Sequence, residues 1–159
     1  MKTISLPNED MIPVIKELID EGHTATFLAK GYSMRLFLEH CRDKVILKGG
    51  CPIDVGDVVL AEVAPKKYVL HRIIMRDGDD LILKGDGNVK GVEHCEVKDV
   101  IGKAIGFYRK GRSVPDMVTS YKWRIYSRIW LALTPFRRYI LAFYRRIWLR
   151  VFPVKISND

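Results

Sequence analysis

Apolar positions along this chain fall into two regimes. Between His23 and Tyr108 they come in short runs of aliphatic and β-branched residues broken by Gly, Asp and Pro; outside that span they recur every three to four residues. The runs 23–30, Lys44–Leu47, Val58–Val63, Tyr68–Met75 and Leu81–Leu83 predict strands. Val100–Tyr108 is β-leaning as well, and Gly102 and Gly106 within it predict bulges or a coiled strand. Turns fall at Gly49–Pro52, Asp54–Asp57, Pro65–Lys67, Asp77–Asp79 and Lys84–Asn88. Met34–Cys41 mixes charged and apolar residues and fits a helical turn or a loop whose apolar side chains line a groove.

Helical spacing governs the two ends. Apolar residues at 11, 12, 15, 18 and 19 predict a short amphipathic helix, capped by Asn8, tolerating Pro13 in its first turn and ended by Gly22. Tyr121–Leu133 and Phe136–Phe152 predict two more, separated by Thr134-Pro135. Trp123, Tyr126, Trp130 and Leu133 form one apolar stripe, and Ile140, Phe143, Ile147 and Val151 another. Arg138, Arg145, Arg146 and Arg150 point away from the second stripe. The expected architecture is α+β with a mainly β core, a small, strongly bent antiparallel sheet or barrel. It divides into an N-terminal helix (1–22), a β domain (23–112) and a helical tail (117–153).

Charge sharpens that division. The formal net charge is +8 over 159 residues, yet residues 1–116 hold 18 basic and 18 acidic side chains. Residues 117–159 hold nine basic side chains and only Asp159, so all of the net charge lies in the tail. Cys41, Cys51 and Cys95 are too few and too scattered for a disulfide framework or a zinc site, and read as reduced thiols of a cytoplasmic protein. Met1–Asp20 carries four acidic residues and no signal-peptide apolar stretch. The longest uncharged run of the tail, Ile129–Phe136, is too short to cross a bilayer. No metal or cofactor motif is present.

Candidate chemistry centres on Lys30-Gly31-Tyr32-Ser33-Met34-Arg35. A serine just past a strand exit combines a projecting Oγ with a nearby backbone N–H, as a nucleophile with an oxyanion donor requires. A polar turn residue is the plainer reading of the same six residues. A serine hydroxyl needs a base, and His71, inside an apolar strand, is the histidine held rigidly enough to be one. A half-buried structural histidine is the alternative. Asp86 is the candidate carboxylate to orient the imidazole, and an Asp-Gly hairpin turn is its alternative.

Five segments occur in order: Gly31-Tyr32-Ser33-Met34, Val55-Gly56-Asp57-Val58-Val59, Val69-Leu70-His71-Arg72-Ile73, Leu83-Lys84-Gly85-Asp86-Gly87-Asn88 and Val100-Ile101-Gly102-Lys103. Together they resemble the signal peptidase I and LexA-like serine peptidases, nearest to the endoplasmic-reticulum and archaeal type with a histidine base. The resemblance spans residues 24–107 and implies a coiled antiparallel β fold. It implies Ser33 as nucleophile, His71 as general base, Asp86 as supporting acid, and Met34 with Gly31 along the substrate groove. Glu93 stands nearest to where those enzymes carry a second aspartate. Arg35 and Leu36 occupy the stretch where the family has a proline, and Gly31 stands where many members have a serine. The implied function is a serine endopeptidase acting through an acyl-enzyme on a leader-type or self-processing peptide. A lysine dyad is the lesser expectation, since Lys66 and Lys67 lie in a turn that reads as solvated. The rivals are a catalytically inactive module of the same fold and a regulator binding nucleic acid through the tail. For the tail itself, residues 121–152, the first expectation is peripheral contact with an anionic membrane, ahead of packing on the core or nucleic-acid binding.

Overall fold

The computed structural model of this chain describes Ile4, Ser5 and residues 11–154. The strands are β1 (Ile4–Ser5), β2 (Thr24–Leu28), β3 (Lys44–Lys48), β4 (Val58–Ala64), β5 (Lys67–Asp77), β6 (Asp80–Lys84), β7 (Glu93–Glu96), β8 (Val100–Tyr108) and β9 (Asp116–Met117), of which β2 to β6 and β8 fall on the apolar runs. Among the described residues they form one sheet in the order β1-β2-β3-β8-β4-β5-β6-β7, with β9 also on β8. Every pairing is antiparallel except that of β1 with β2. The helices are α1 (Met11–Asp20), α2 (Tyr121–Ala132) and α3 (Arg137–Phe143), the last continuing through a π-helical turn, Tyr144–Trp148, into α4 (Leu149–Val151). The chain is therefore α+β around a mainly antiparallel sheet.

β4 shows why the sheet holds two cores. Val58 and Leu60 join one buried cluster, Val59 and Ala61 the other, as successive side chains on a strand must. The larger cluster takes in Ile12, Ile15 and Ile19 of α1, Phe27, Phe107 and Trp123; the smaller is built on Ile73, Leu81, Leu83 and Cys95. Asn8, the expected cap of α1, lies outside the described residues.

β8 bends at two places. Against β3 the register passes from Gly106 to Ala104, leaving Ile105 extra; against β4 it passes from Gly102 to Val100, leaving Ile101 extra. Each bulge directly precedes one of the glycines that signalled it, and such bulges increase local twist. β7 and β9 had no sequence signal: Glu93-His94-Cys95-Glu96 buries only its cysteine, and β9 is two residues long.

The tail helices pack differently from each other. Ser120 caps α2, its Oγ accepting the Trp123 N–H at 3.3 Å. Trp123 then stacks on Phe107 and meets Phe37 edge-on, joining the main core. The stripe read in the first helix thus faces inward, with Trp123 and Trp130 buried. The stripe read in the second faces outward: Phe143, Ile147 and Val151 are all more than half exposed, while Arg137 and Leu141 are buried. None of the described helices is long and apolar enough to cross a membrane.

Candidate active site

Ser33 sits in the turns that link β2 to β3. The ends of this loop are tied by Ala29 N–H to Asp43 O and Cys41 N–H to Ala29 O. Asp43 is fully buried and accepts the backbone N–H groups of Glu39 and Lys110 and both arms of Arg42. Glu39, 1% exposed, accepts from Arg35 and from Tyr144 Oη, each at 2.8 Å. Leaving β2, the backbone turns at Gly31, whose φ of +89° suits a residue without Cβ, and its N–H donates to His40 Nδ1 at 2.7 Å. Among the described residues the backbone N–H groups of Ser33 and Met34 find no acceptor. They are the local candidates for oxyanion donors.

The Lys84–Asn88 turn closes over this loop. Gly87 N–H donates to Ser33 O at 2.7 Å, and Asp86 N–H meets Met34 Sδ at 3.5 Å. A Cβ added at Gly85 would stand 2.3 Å from Ser33 O, and one at Gly87 2.3 Å from Tyr32 O. The two glycines thus serve a backbone-on-backbone contact beside the serine. Gly85→Ala or Gly87→Ala is expected to displace the loop and destabilise the fold by about 1–3 kcal/mol, measurable by chemical denaturation, with a concomitant loss of any activity that depends on Ser33.

His71 comes from β5, opposite Val59 of β4, and is 4% exposed. Ser33 and His71 line one cavity of about 120 Å³, together with Gly31, Met34, Leu38, Leu60 and the strand segment Tyr68–Leu70. The two catalytic candidates share this cavity without being hydrogen-bonded to each other. Such contacts are commonly loose until substrate is seated. Met34 and Gly31, the groove candidates, also line it.

The carboxylate that touches the imidazole is Glu93, on β7, whose Oε2 lies 3.2 Å from His71 Nδ1. An ionised Glu93 holds the proton on Nδ1 and leaves the Nε2 lone pair free. Lys67, largely solvated and the first residue of β5 where the sequence predicts a turn, lies 3.9 Å from the other oxygen of Glu93. Burial pushes the His71 pKa below its ordinary 6.5, against the opposing pull of the Glu93 charge.

Asp86 departs from the expectation that it orients the imidazole. Both its oxygens are taken by Arg72, at 2.8 and 2.6 Å, and both residues are fully buried. The reason is strand alternation: His71 and Arg72 are neighbours on β5, so their side chains leave on opposite faces, and Asp86 lies on the arginine's side. Its charge reaches His71 only as a weaker, more distant influence. Arg72 also donates to Gly56 O and to Ser127 Oγ, and lies over the rings of Trp123 and Tyr126. Arg137 adds a contact to Gly85 O from α3. The tail thereby holds the turn that holds the serine loop. Sequence reading missed Arg72, Glu39 and Tyr144 in these roles. The signal for Arg72 was an arginine inside an apolar strand, which requires a buried acid.

Among the described residues no group of three or more His, Cys, Asp or Glu side chains is placed to hold a metal ion. Cys41, Cys51 and Cys95 are free thiols. No protein-family model matches this chain, and no curated protein is found similar to it.

Proposed function

We propose that this chain is a serine hydrolase in which Ser33 Oγ attacks an acyl carbon while His71 Nε2 takes its proton. Within that class the reading is an endopeptidase of the signal peptidase and LexA-like kind, with their coiled antiparallel fold. The observation that carries it is the shared cavity: a serine at a strand exit and a buried histidine, far apart in sequence, line the same small cavity. Glu93 at the far imidazole nitrogen supports the base role. In the reaction, the Ser33 and Met34 N–H groups receive the oxyanion, and His71 returns its proton to the leaving amine. Water, deprotonated by the same imidazole, then releases the acyl group from Ser33. A cavity of about 120 Å³, its walls including Met34, Leu38, Leu60 and Leu70, suits a small apolar side chain beside the cleaved bond. Asp86 acts here through the fold, not on the proton.

The test is acylation by a fluorophosphonate or β-lactam probe, followed by mass spectrometry of the labelled peptide. Labelling at Ser33, lost in Ser33→Ala, supports the proposal; no labelling of the folded protein overturns it in favour of a non-catalytic peptide-binding module. The pH profile gives a second reading. The base works unprotonated and its pKa lies below 6.5, so the rate is expected to rise with pH through a midpoint under 6.5 and stay level to pH 8 and above. A rise only above about pH 8 would point to lysine. Glu93→Gln removes the charge that opposes burial, so the midpoint is expected to move lower still. The plateau should fall at least about tenfold as the imidazolium loses its partner.

A further inference from the structure

Among the described residues nothing covers the outer face of the tail. Tyr139, Phe143, Ile147 and Val151 follow one another at four-residue intervals, and each is between 52% and 62% exposed. Beside them Arg138, Arg145, Arg146 and Arg150 are exposed, and on α2 Ile125 and Ile129 repeat the pattern next to Arg124 and Arg128. Trp148 and Phe152 stack on each other at the end of the helix, both about half exposed. No acidic residue occurs between Asp116 and Asp159.

We infer that this face docks onto an anionic lipid bilayer. Charge complementarity selects the partner: these six exposed arginines stand around apolar side chains on helices that contain no acid to offset them. An interfacial helix carries this combination, with aromatic and aliphatic side chains entering the headgroup boundary and arginines meeting lipid phosphates from its edges. A nucleic-acid groove would use the arginines and rings but has no role for Ile125, Ile129, Ile147 and Val151, which cannot stack on bases. The inner edge of the same helix carries Tyr144 and Arg137, which touch Glu39 and Gly85. The docking face and the serine loop are therefore two sides of one helix. The inference stands independently of any catalytic role for Ser33.

The full chain is to be sedimented with vesicles of phosphatidylcholine alone or mixed with phosphatidylglycerol. Binding at least about tenfold tighter to the anionic vesicles is expected, with a blue shift of tryptophan fluorescence. Phe143→Ser combined with Ile147→Ser changes side chains that are already mostly exposed, so thermal unfolding should not move, while vesicle binding falls at least about tenfold. Failure to bind either vesicle overturns the inference, as does binding that ignores the Phe143 and Ile147 substitutions. Tight binding to single-stranded nucleic acid without vesicle binding assigns the face to nucleic acid instead. A dimer broken by the same substitutions, without vesicle binding, assigns it to a second copy of the chain.

Discussion

Ser33→Ala and His71→Ala are each expected to lower turnover of an activated ester by roughly 10³-fold or more, and the double variant by no more than either single one. A nucleophile and its base act as a unit. Once the hydroxyl is gone, the imidazole has no proton to take; once the imidazole is gone, the hydroxyl is a poor nucleophile at neutral pH. Any residual rate would come from the backbone N–H groups and the cavity, which neither substitution removes. Losses that multiply would mean that the two side chains act separately, and the proposed pairing would fail. Both variants should fold, since Ser33 lies in surface turns and His71→Ala leaves only a small void beside Glu93.

The second large effect is on stability. Asp86→Ala is expected to cost about 3–5 kcal/mol, because it leaves the Arg72 guanidinium buried without its counter-charge. For a domain of this size total stability is about 5–15 kcal/mol, so the unfolding midpoint should drop steeply. Arg72 has no route to solvent: it is fully buried under Trp123 and Tyr126, and its other donors are committed to Gly56 O and Ser127 Oγ. Arg72→Met with Asp86→Leu removes both charges, and is expected to be less destabilised than Asp86→Ala alone. Glu93→Gln provides the contrast. That carboxylate is partly exposed and also faces Lys67, so its loss should leave the unfolding midpoint almost unchanged while moving the pH profile. A comparable pH shift in Asp86→Asn would instead make Asp86 a direct partner of the imidazole.

Much of the sheet was legible because its strands are apolar runs ended by Gly, Asp or Pro. β5 and β8 announced themselves this way, the second together with its bulges. β7 did not, because an edge strand with one buried residue carries almost no alternation. The serine and the histidine were legible as candidates, the first by its place just past a strand exit and the second by standing inside an apolar strand. The orienting carboxylate was harder. Asp86 sits in the more conspicuous motif, but which acid meets His71 depends on the face of β5 from which the side chain leaves. That is a matter of one residue of register. The glycines of the Lys84–Asn88 turn were legible as turn chemistry, whereas their closeness to Tyr32 O and Ser33 O is a long-range contact that no local pattern encodes. In the tail, the periodicity identified both helices without saying which stripe faces inward. Arg137 and Leu141 took the inner side of the second because Gly85 O and the ring of Trp130 were there to receive the guanidinium.

The hydrogen bond from Tyr144 to Glu39 joins groups 105 residues apart. During synthesis at about 5–20 residues per second, the loop bearing Ser33 leaves the ribosome on the order of 5 to 20 seconds before the residue that secures it. Arg72 waits likewise for Ser127. A newborn chain therefore holds the Ser33 segment without its Glu39–Tyr144 tie until residue 144 has emerged, and the helix that carries Tyr144 completes the bracing after the sheet residues are already out.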